Sequence, residues 1–342
     1  MAKTVTLGEI MLRLSPPGYQ RFAQADDFQV CYSGAEANVA ASLAQFGNSS
    51  AFLTKVPANA IGDAAVHSLQ GLGVDCTHIA RGGSRLGIYF LENGASVRPS
   101  SVIYDRAGSA ITQASVDEFD FDAIFDDADL FHLSGITPVL SPQAGALSLA
   151  SVKKAKEHNV TISFDLNYRS KLWTSGISEK QRLLSEIISY ADICFGNPRD
   201  AVNCLGYSVP ELNLLQCDYE DVICLEQLSK MADFYHLDYI VTTQRKSISA
   251  SDNGWSARLY HDGSLYTSAE YHLHIVDRVG GGDAFVAGIL HGCLSKMAPA
   301  DALEFGTAAA AIKHTIPGDI NYVSEAEVFQ LIESKGTGRV QR

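Results

Sequence analysis

The chain has 342 residues, 46% hydrophobic content and a formal net charge of −13, enough for one large α/β domain or for a main domain with a smaller appendage. That acidic balance argues against nucleic acid or an anionic membrane surface as the main partner, because both require clustered Lys and Arg. A few local arginines can still create a site for a small anionic substrate. No run approaches the ~18 apolar residues of a membrane span, and the start, "MAKTVTLGEIMLRLSPPG", lacks the apolar core of a signal peptide, so a cytoplasmic location is expected. Seven scattered cysteines (Cys31, Cys76, Cys194, Cys204, Cys217, Cys224, Cys293) include no Cys-x-x-Cys pair and are expected to be reduced.

In chain order, "TVTLGEI" reads as a strand, "AEANVAASLAQFG" as a helix stopping at Gly47, "SAFLTKV" as a strand and "AIGDAAVHSLQGLG" as a helix ending at glycine. Further on, "LFHLSG", "VTISFDLN", "DICFGN" and "YIVTTQ" read as buried strands, with helices such as "QAGALSLASVKKAKEHN" between them. The alternation predicts a mostly parallel sheet flanked by helices, with ligands beyond the carboxyl ends of the strands. Residues 12–34 and 87–106 break the pattern. Both are strand-like, with Pro, Gly or Asn-Gly turns and no helical period, and predict either a small separate sheet, serving as a lid or dimer contact, or two ordinary surface hairpins. No repeat, low-complexity tract or interdomain linker is visible.

The stretch "DRVGGGDAF", residues 277–285, sets three glycines against an aspartate at the start of an apolar helix. Bare glycines can turn several N–H groups toward one point, and a helix head adds its dipole. Gly280, Gly281 and Gly282 could therefore stabilise charge on a transferring phosphoryl group. The same dipole favours an ionised Asp283, placed to deprotonate an attacking hydroxyl. The competing reading makes Asp283 the helix N-cap after a glycine turn. Neither Gly-x-x-x-x-Gly-Lys-Ser/Thr nor an early Gly-x-Gly-x-x-Gly is present, so phosphoryl transfer must rest on this motif.

"DRVGGGDAFVAGIL" resembles the C-terminal signature of the ribokinase-like (PfkB) carbohydrate kinases, usually Asp-Thr-x-Gly-Ala-Gly-Asp, and "SGAEANVAASLAQFG" followed by "VPANAIGDAA" is similar to that family's N-terminal signature. The resemblance covers nearly the whole chain. It implies a three-layer α/β/α fold with a β-sheet lid, ATP and Mg2+ as cofactors, Asp283 as catalytic base and Gly280 to Gly282 as an anion hole. Gly281 replaces the commoner alanine, a change expected to matter little. "FGNPRDA" sits where the family has Asn-x-x-Glu, implying a role for Asn197 near the phosphates and for Asp200, in place of Glu, toward Mg2+ through water. The competing reading of Asn197 is a turn residue before Pro198. Where relatives have a Thr-x-Gly-x-x-Gly loop, this chain has "TTQRKSISASDNGW" with Thr243, Arg245 and Ser247 and no early glycine. "AAAAIKHTIPGD" resembles the segment closing over adenine, with His314 as a contact or an ordinary packing residue. A monovalent cation near "PGD", residues 317–319, is a third candidate cofactor.

Arg169 in "DLNYRSKLW" and Tyr104 and Arg106 in "VIYDRAGSA" suggest guanidiniums converging on a carboxylate, and Tyr89 would pack on sugar carbons and hydrogen-bond their hydroxyls. The competing reading makes each arginine a surface ion pair. These stretches, with "FHLSGITPVLSP", are similar to the branch of the family acting on 2-keto-3-deoxygluconate. That likeness implies phosphorylation of the terminal hydroxyl of a six-carbon sugar acid, with Gly34, Asn38, Tyr89, Tyr104, Arg106 and Arg169 around the substrate. It also implies a dimer formed through the lid. The alternatives are the galactonate epimer or a neutral sugar as substrate, a non-catalytic sugar or nucleotide sensor and, on the doubly wound pattern alone, a nicotinamide dehydrogenase.

Overall fold

A computed structural model describes residues 2–207 and 221–334; Cys217 lies outside them, and the other six cysteines are free thiols. Short β-rich apolar runs form a nine-stranded sheet, ordered Ser264–Thr267, Asp252–His261, Tyr239–Ser247, Ile193–Phe195, Thr161–Asp165, Leu130–Ser134, Lys3–Leu7 and Ser49–Leu53, with Tyr271–His274 also paired to Asp252–His261. The strands from Tyr239–Ser247 to Ser49–Leu53 run parallel. Those after residue 250 return antiparallel.

Alternation along each strand sends residues to opposite faces, and both faces are apolar because helices cover both. Phe131, Leu133, Ile162, Phe164 and Cys194 belong to one core, with Leu147 of helix Pro142–Glu157 and Leu184 and Ile187 of helix Ile177–Ile188. Leu130, Ile193, Phe195 and Val241 belong to the other, with Val39 of helix Ala35–Gln45, Phe285 of helix Gly281–Leu294 and Phe305 of helix Pro299–Lys313. The result is three layers. Phe164 is fully buried, so truncation to Ala would cost about 3–5 kcal/mol.

A second, four-stranded sheet orders Gln29–Ser33, Met11–Ser15, Gly87–Glu92 and Ser101–Asp105, within the two segments that break the α/β pattern. Its period-2 alternation separates two faces. Met11, Tyr89 and Leu91 pack with Val102 and Val279, so one face lies on the glycine stretch. The cross-strand row Val30, Leu14, Phe90, Ile103 lies on the opposite face. The strand read in "YIVTTQ" continues through Ser247, into the stretch where relatives have a loop: Thr243 pairs with Ala257 and Arg245 with Trp255. The chain reverses only after Ser247, because the next strand continues the ladder through its whole length.

Candidate active site

Two helix heads and the lid enclose a cavity of about 650 Å³ at the carboxyl ends of the parallel strands. Helix Gly281–Leu294 begins after Gly280, whose φ of 82° is left-handed and whose added Cβ would lie 1.9 Å from the Asp319 carbonyl oxygen. Only glycine fits that position. Helix Ala35–Gln45 begins after Gly34, where an added Cβ would lie 1.8 Å from the Glu9 carbonyl oxygen. Neither head has a side-chain cap, so unpaired first-turn amides are left near the cavity. Glu36 anchors the second head, accepting from Ser134 N at 3.2 Å and Ser134 Oγ at 2.6 Å.

Asp283 is the third residue of its helix and lines the cavity; the cap is Gly280, which removes the reading of Asp283 as N-cap. Asn38 Nδ2 donates to Asp283 Oδ2 at 2.6 Å. Burial lifts the Asp283 carboxyl to about 7, against the Asn38 hydrogen bond and the positive charge of Arg169. Desolvation thus outweighs the dipole that was expected to favour the ionised form. A carboxyl poised near neutrality suits a general base.

The three glycines divide their roles. Gly280 and Gly282 line the cavity, and nothing lies within 4 Å of the direction a Gly282 Cβ would take. Gly281 turns away from it: an added Cβ would lie 2.3 Å from His314 Cε1. Alanine there is therefore not a neutral exchange, contrary to the expectation. His314 is buried behind the loop, with Nδ1 bonded to Ala310 O at 2.6 Å and its ring 5.1 Å from Trp255. Burial lowers it to about 4. It is a packing residue and not a cavity contact.

On the lid side, Tyr89, Tyr104 and Arg106 line the cavity, as do Gly34 and Asn38. The Tyr89 hydroxyl, expected to meet a sugar, is already engaged by Asp319 and by Ser33 Oγ at 2.9 Å, leaving its ring as the contact surface. Tyr104 is 41% exposed, with Arg106 5.6 Å and Lys171 Nζ 5.9 Å from its ring centre. Arg106 pairs with Glu9, which also accepts from Ser109 Oγ at 2.5 Å. Its buried Nε has no hydrogen-bond partner among the described residues. Arg169 is exposed to the cavity, and among the described residues its Nη1 makes only a long contact, 3.5 Å, to Tyr168 O. The two arginines are thus unlike: one is half-committed to Glu9, and the other's charge acts on Asp165, Asp200 and Asp283.

Asn197 and Asp200 close a capping box at helix Pro198–Leu205, with Asp200 N donating to Asn197 Oδ1 at 2.9 Å. Neither lines the cavity. Asp165, at the end of the adjacent strand, was not singled out from the sequence. Burial pushes its carboxyl to about 7; Arg169 opposes this shift, and Asp283 and Asp200 add to it. Three acids in one field form a place a cation would relieve, although among the described residues no three metal-ligating side chains cluster closely enough to hold one directly. Thr243 and Arg245 are exposed on their strand, outside the cavity. Arg278, overlooked within the glycine motif itself, lines the cavity and is lowered first by burial and then by the Arg245 charge. Two guanidiniums therefore stand near one another beside the loop.

Among the described residues no helix is long and apolar enough to cross a membrane. The family model for pfkB family carbohydrate kinases matches residues 1–326. A 2-dehydro-3-deoxygalactonokinase of Haloferax volcanii is 34% identical over 98% of each chain, and a 5-dehydro-2-deoxygluconokinase of Clostridium perfringens is 27% identical over 98% of this chain and 95% of its own. The crystal structure of 2-dehydro-3-deoxygluconokinase from Thermotoga maritima superposes with a TM-score of 0.91 at 44% identity, covering 97% of this chain and 98% of that one. With glycine loop, poised aspartate and lid around one cavity, and a family match along nearly its whole length, the chain belongs to the pfkB family of carbohydrate kinases.

Proposed function

We propose that this kinase transfers the γ-phosphoryl group of ATP to the terminal hydroxyl of 2-keto-3-deoxygluconate or a closely related keto-deoxy sugar acid. The observation that carries the reading is one cavity lined by Asp283, held by Asn38, and by four cationic side chains, of which Arg106, Arg169 and Lys171 lie away from the glycine loop. A neutral sugar has no use for that charge. A sugar carboxylate would satisfy the unpartnered Nε of Arg106 and pair with Arg169, while the Tyr89 and Tyr104 rings pack on the carbon chain.

Asp283 takes the proton from the acceptor hydroxyl as its oxygen attacks phosphorus in line, with no covalent enzyme intermediate. The amides at Gly280 to Gly282 receive the developing charge, and Arg278 and Arg245 draw the phosphates toward the loop. Asp165 and Asp200 fit Mg2+ held mainly by phosphates and waters, where its charge would offset the phosphoryl oxygens. The lid closes over the acceptor and excludes water. Its outer face exposes Val30 at 59% and Ile103 at 52% in the row with Leu14 and Phe90, an apolar surface suited to a second copy of this chain.

The test is ADP release from MgATP with 2-keto-3-deoxygluconate, its galactonate epimer, gluconate, fructose and ribose. The keto-deoxy acids should be phosphorylated, with fructose about 10- to 100-fold poorer in kcat/KM for want of charge-assisted bonds to the arginines. Efficient turnover of fructose or ribose would overturn the acid-binding role. No turnover of any sugar, with ligand binding intact, would indicate a sensor.

A further inference from the structure

Beneath the glycine loop lie two carboxylates that the reaction scheme does not use. Asp277 is 4% exposed and Asp319 2% exposed. Asp277 begins the loop and receives Val279 N at 3.1 Å and Gly318 N at 3.0 Å. Asp319 lies directly against Gly280 and accepts from Ser33 Oγ at 2.7 Å and from the Tyr89 hydroxyl. Burying a carboxylate is costly unless it is paired with a cation.

The chain supplies one from the lid. Arg13, on strand Met11–Ser15 and itself 4% exposed, donates through Nη2 to Asp277 Oδ2 at 2.6 Å and through Nη1 to Asp319 Oδ1, while its Nε donates to Ser15 Oγ at 2.8 Å. Lys313 is fully buried nearby, its Nζ donates to Ile316 O at 3.1 Å, and burial lowers it against the opposing pull of Asp277 and Asp319. The planar fork of Arg13 engages both acids at once.

We infer that Arg13 is the built-in cation of the glycine loop: it positions the loop amides and ties them to the lid, so that phosphoryl transfer requires no free monovalent cation. The place considered for such an ion, residues 317–319, is occupied by side-chain charge. Arg13 is a positioning residue, acting through Asp277 and Asp319 on the backbone that receives phosphate. The inference rests on the kinase reading above.

The wild-type chain tests it first. Its ADP-release rate is measured with MgATP and the best acceptor in a tetramethylammonium buffer, then with 100 mM K+, Na+, NH4+ or Cs+ at matched ionic strength. The rate should vary less than about twofold, well short of any electrostatic loop rearrangement. A many-fold rise with K+ or NH4+ would overturn the inference while leaving the kinase reading intact. Absence of turnover with every acceptor would instead sink the kinase reading, and this inference with it. Arg13→Ala should lower kcat about 100-fold, as expected for misplacement of the reacting groups by about 1 Å, and added guanidinium should restore part of the rate. If Arg13→Ala fails to fold, Arg13→Lys serves: it should fold and gain sensitivity to monovalent cations that wild type lacks. A folded variant with wild-type kcat and no cation response would refute the role.

Discussion

Replacing Gly281 by alanine isolates the contact that divides this glycine loop into an open side and a packed side. The new Cβ would stand 2.3, 2.6 and 2.9 Å from Cε1, Nε2 and Nδ1 of His314, whereas ordinary carbon contacts are about 3.5–4.0 Å. The imidazole must withdraw by more than about 1 Å or the loop must lift. Withdrawal is resisted by the 2.6 Å bond to Ala310 O and by Trp255 behind the ring. Overpacking of this kind costs about 1–3 kcal/mol, offset by about 0.4–1 kcal/mol from the smaller freedom of alanine in the unfolded chain. The net expectation is about 1–2 kcal/mol of destabilisation, a fall in Tm of a few degrees at roughly 2–4 °C per kcal/mol. Urea and thermal unfolding of Gly281→Ala, His314→Ala and the double variant would measure it. The double variant should be more stable than the sum of the single effects by about 1–2 kcal/mol, and kcat should recover with it. A Gly281→Ala protein as stable as wild type, or more stable as helix propensity alone would have it, would refute the packing argument.

The pH profile follows from Asp283. Its carboxyl is lifted from an ordinary 3.8 to about 7, so kcat/KM should fall about tenfold per pH unit below 7 and level off above it. Asn38→Ala removes the bond that favours the charged form and should move that inflection upward; an unmoved inflection near 4 would contradict the assignment. The same raised values at Asp283 and Asp165 mean that the folded state holds protons the unfolded state has lost. Stability should therefore decline as pH rises from about 4 through 7, checked by urea midpoints at pH 4.5 and 8. Arg169→Ala should reduce kcat/KM for a keto-deoxy acid about 10- to 100-fold and leave thermal stability near wild type, since the side chain is exposed. Arg106→Ala should destabilise by up to about 3–5 kcal/mol, because Glu9 is left buried and unpaired; recovery on adding Glu9→Gln would separate that structural loss from lost substrate binding.

What could be read before any coordinates follows the range of the interactions. The strands ending at Leu7, Ser134, Asp165 and Phe195 are legible because continuous apolar runs carry their own signal, and Gly47 with φ of 88° closes its helix as the pattern suggests. The antiparallel strands after residue 250 are not, since "DNGWSARLYH" has weak alternation and draws its stability from pairing with residues 239–247. The glycine motif points to Asp283 because spacing and residue type are local. It cannot reveal that Gly281 packs on His314, 33 positions later, or that Arg13 reaches Asp277 and Asp319 across separations of 264 and 306 residues. Arg278 and Asp165 carry no local signal; the place of Arg278 on the cavity wall and the burial of Asp165 beside Asp283 and Asp200 distinguish them from ordinary surface charges.

The most direct test of the account is Asp283→Asn in the full chain, with sugar-acid and ATP binding measured by calorimetry beside steady-state ADP release. The account predicts binding within a few-fold of wild type and a loss of kcat of about 10²- to 10⁴-fold, the usual worth of a positioned base. Turnover within tenfold of wild type would contradict it.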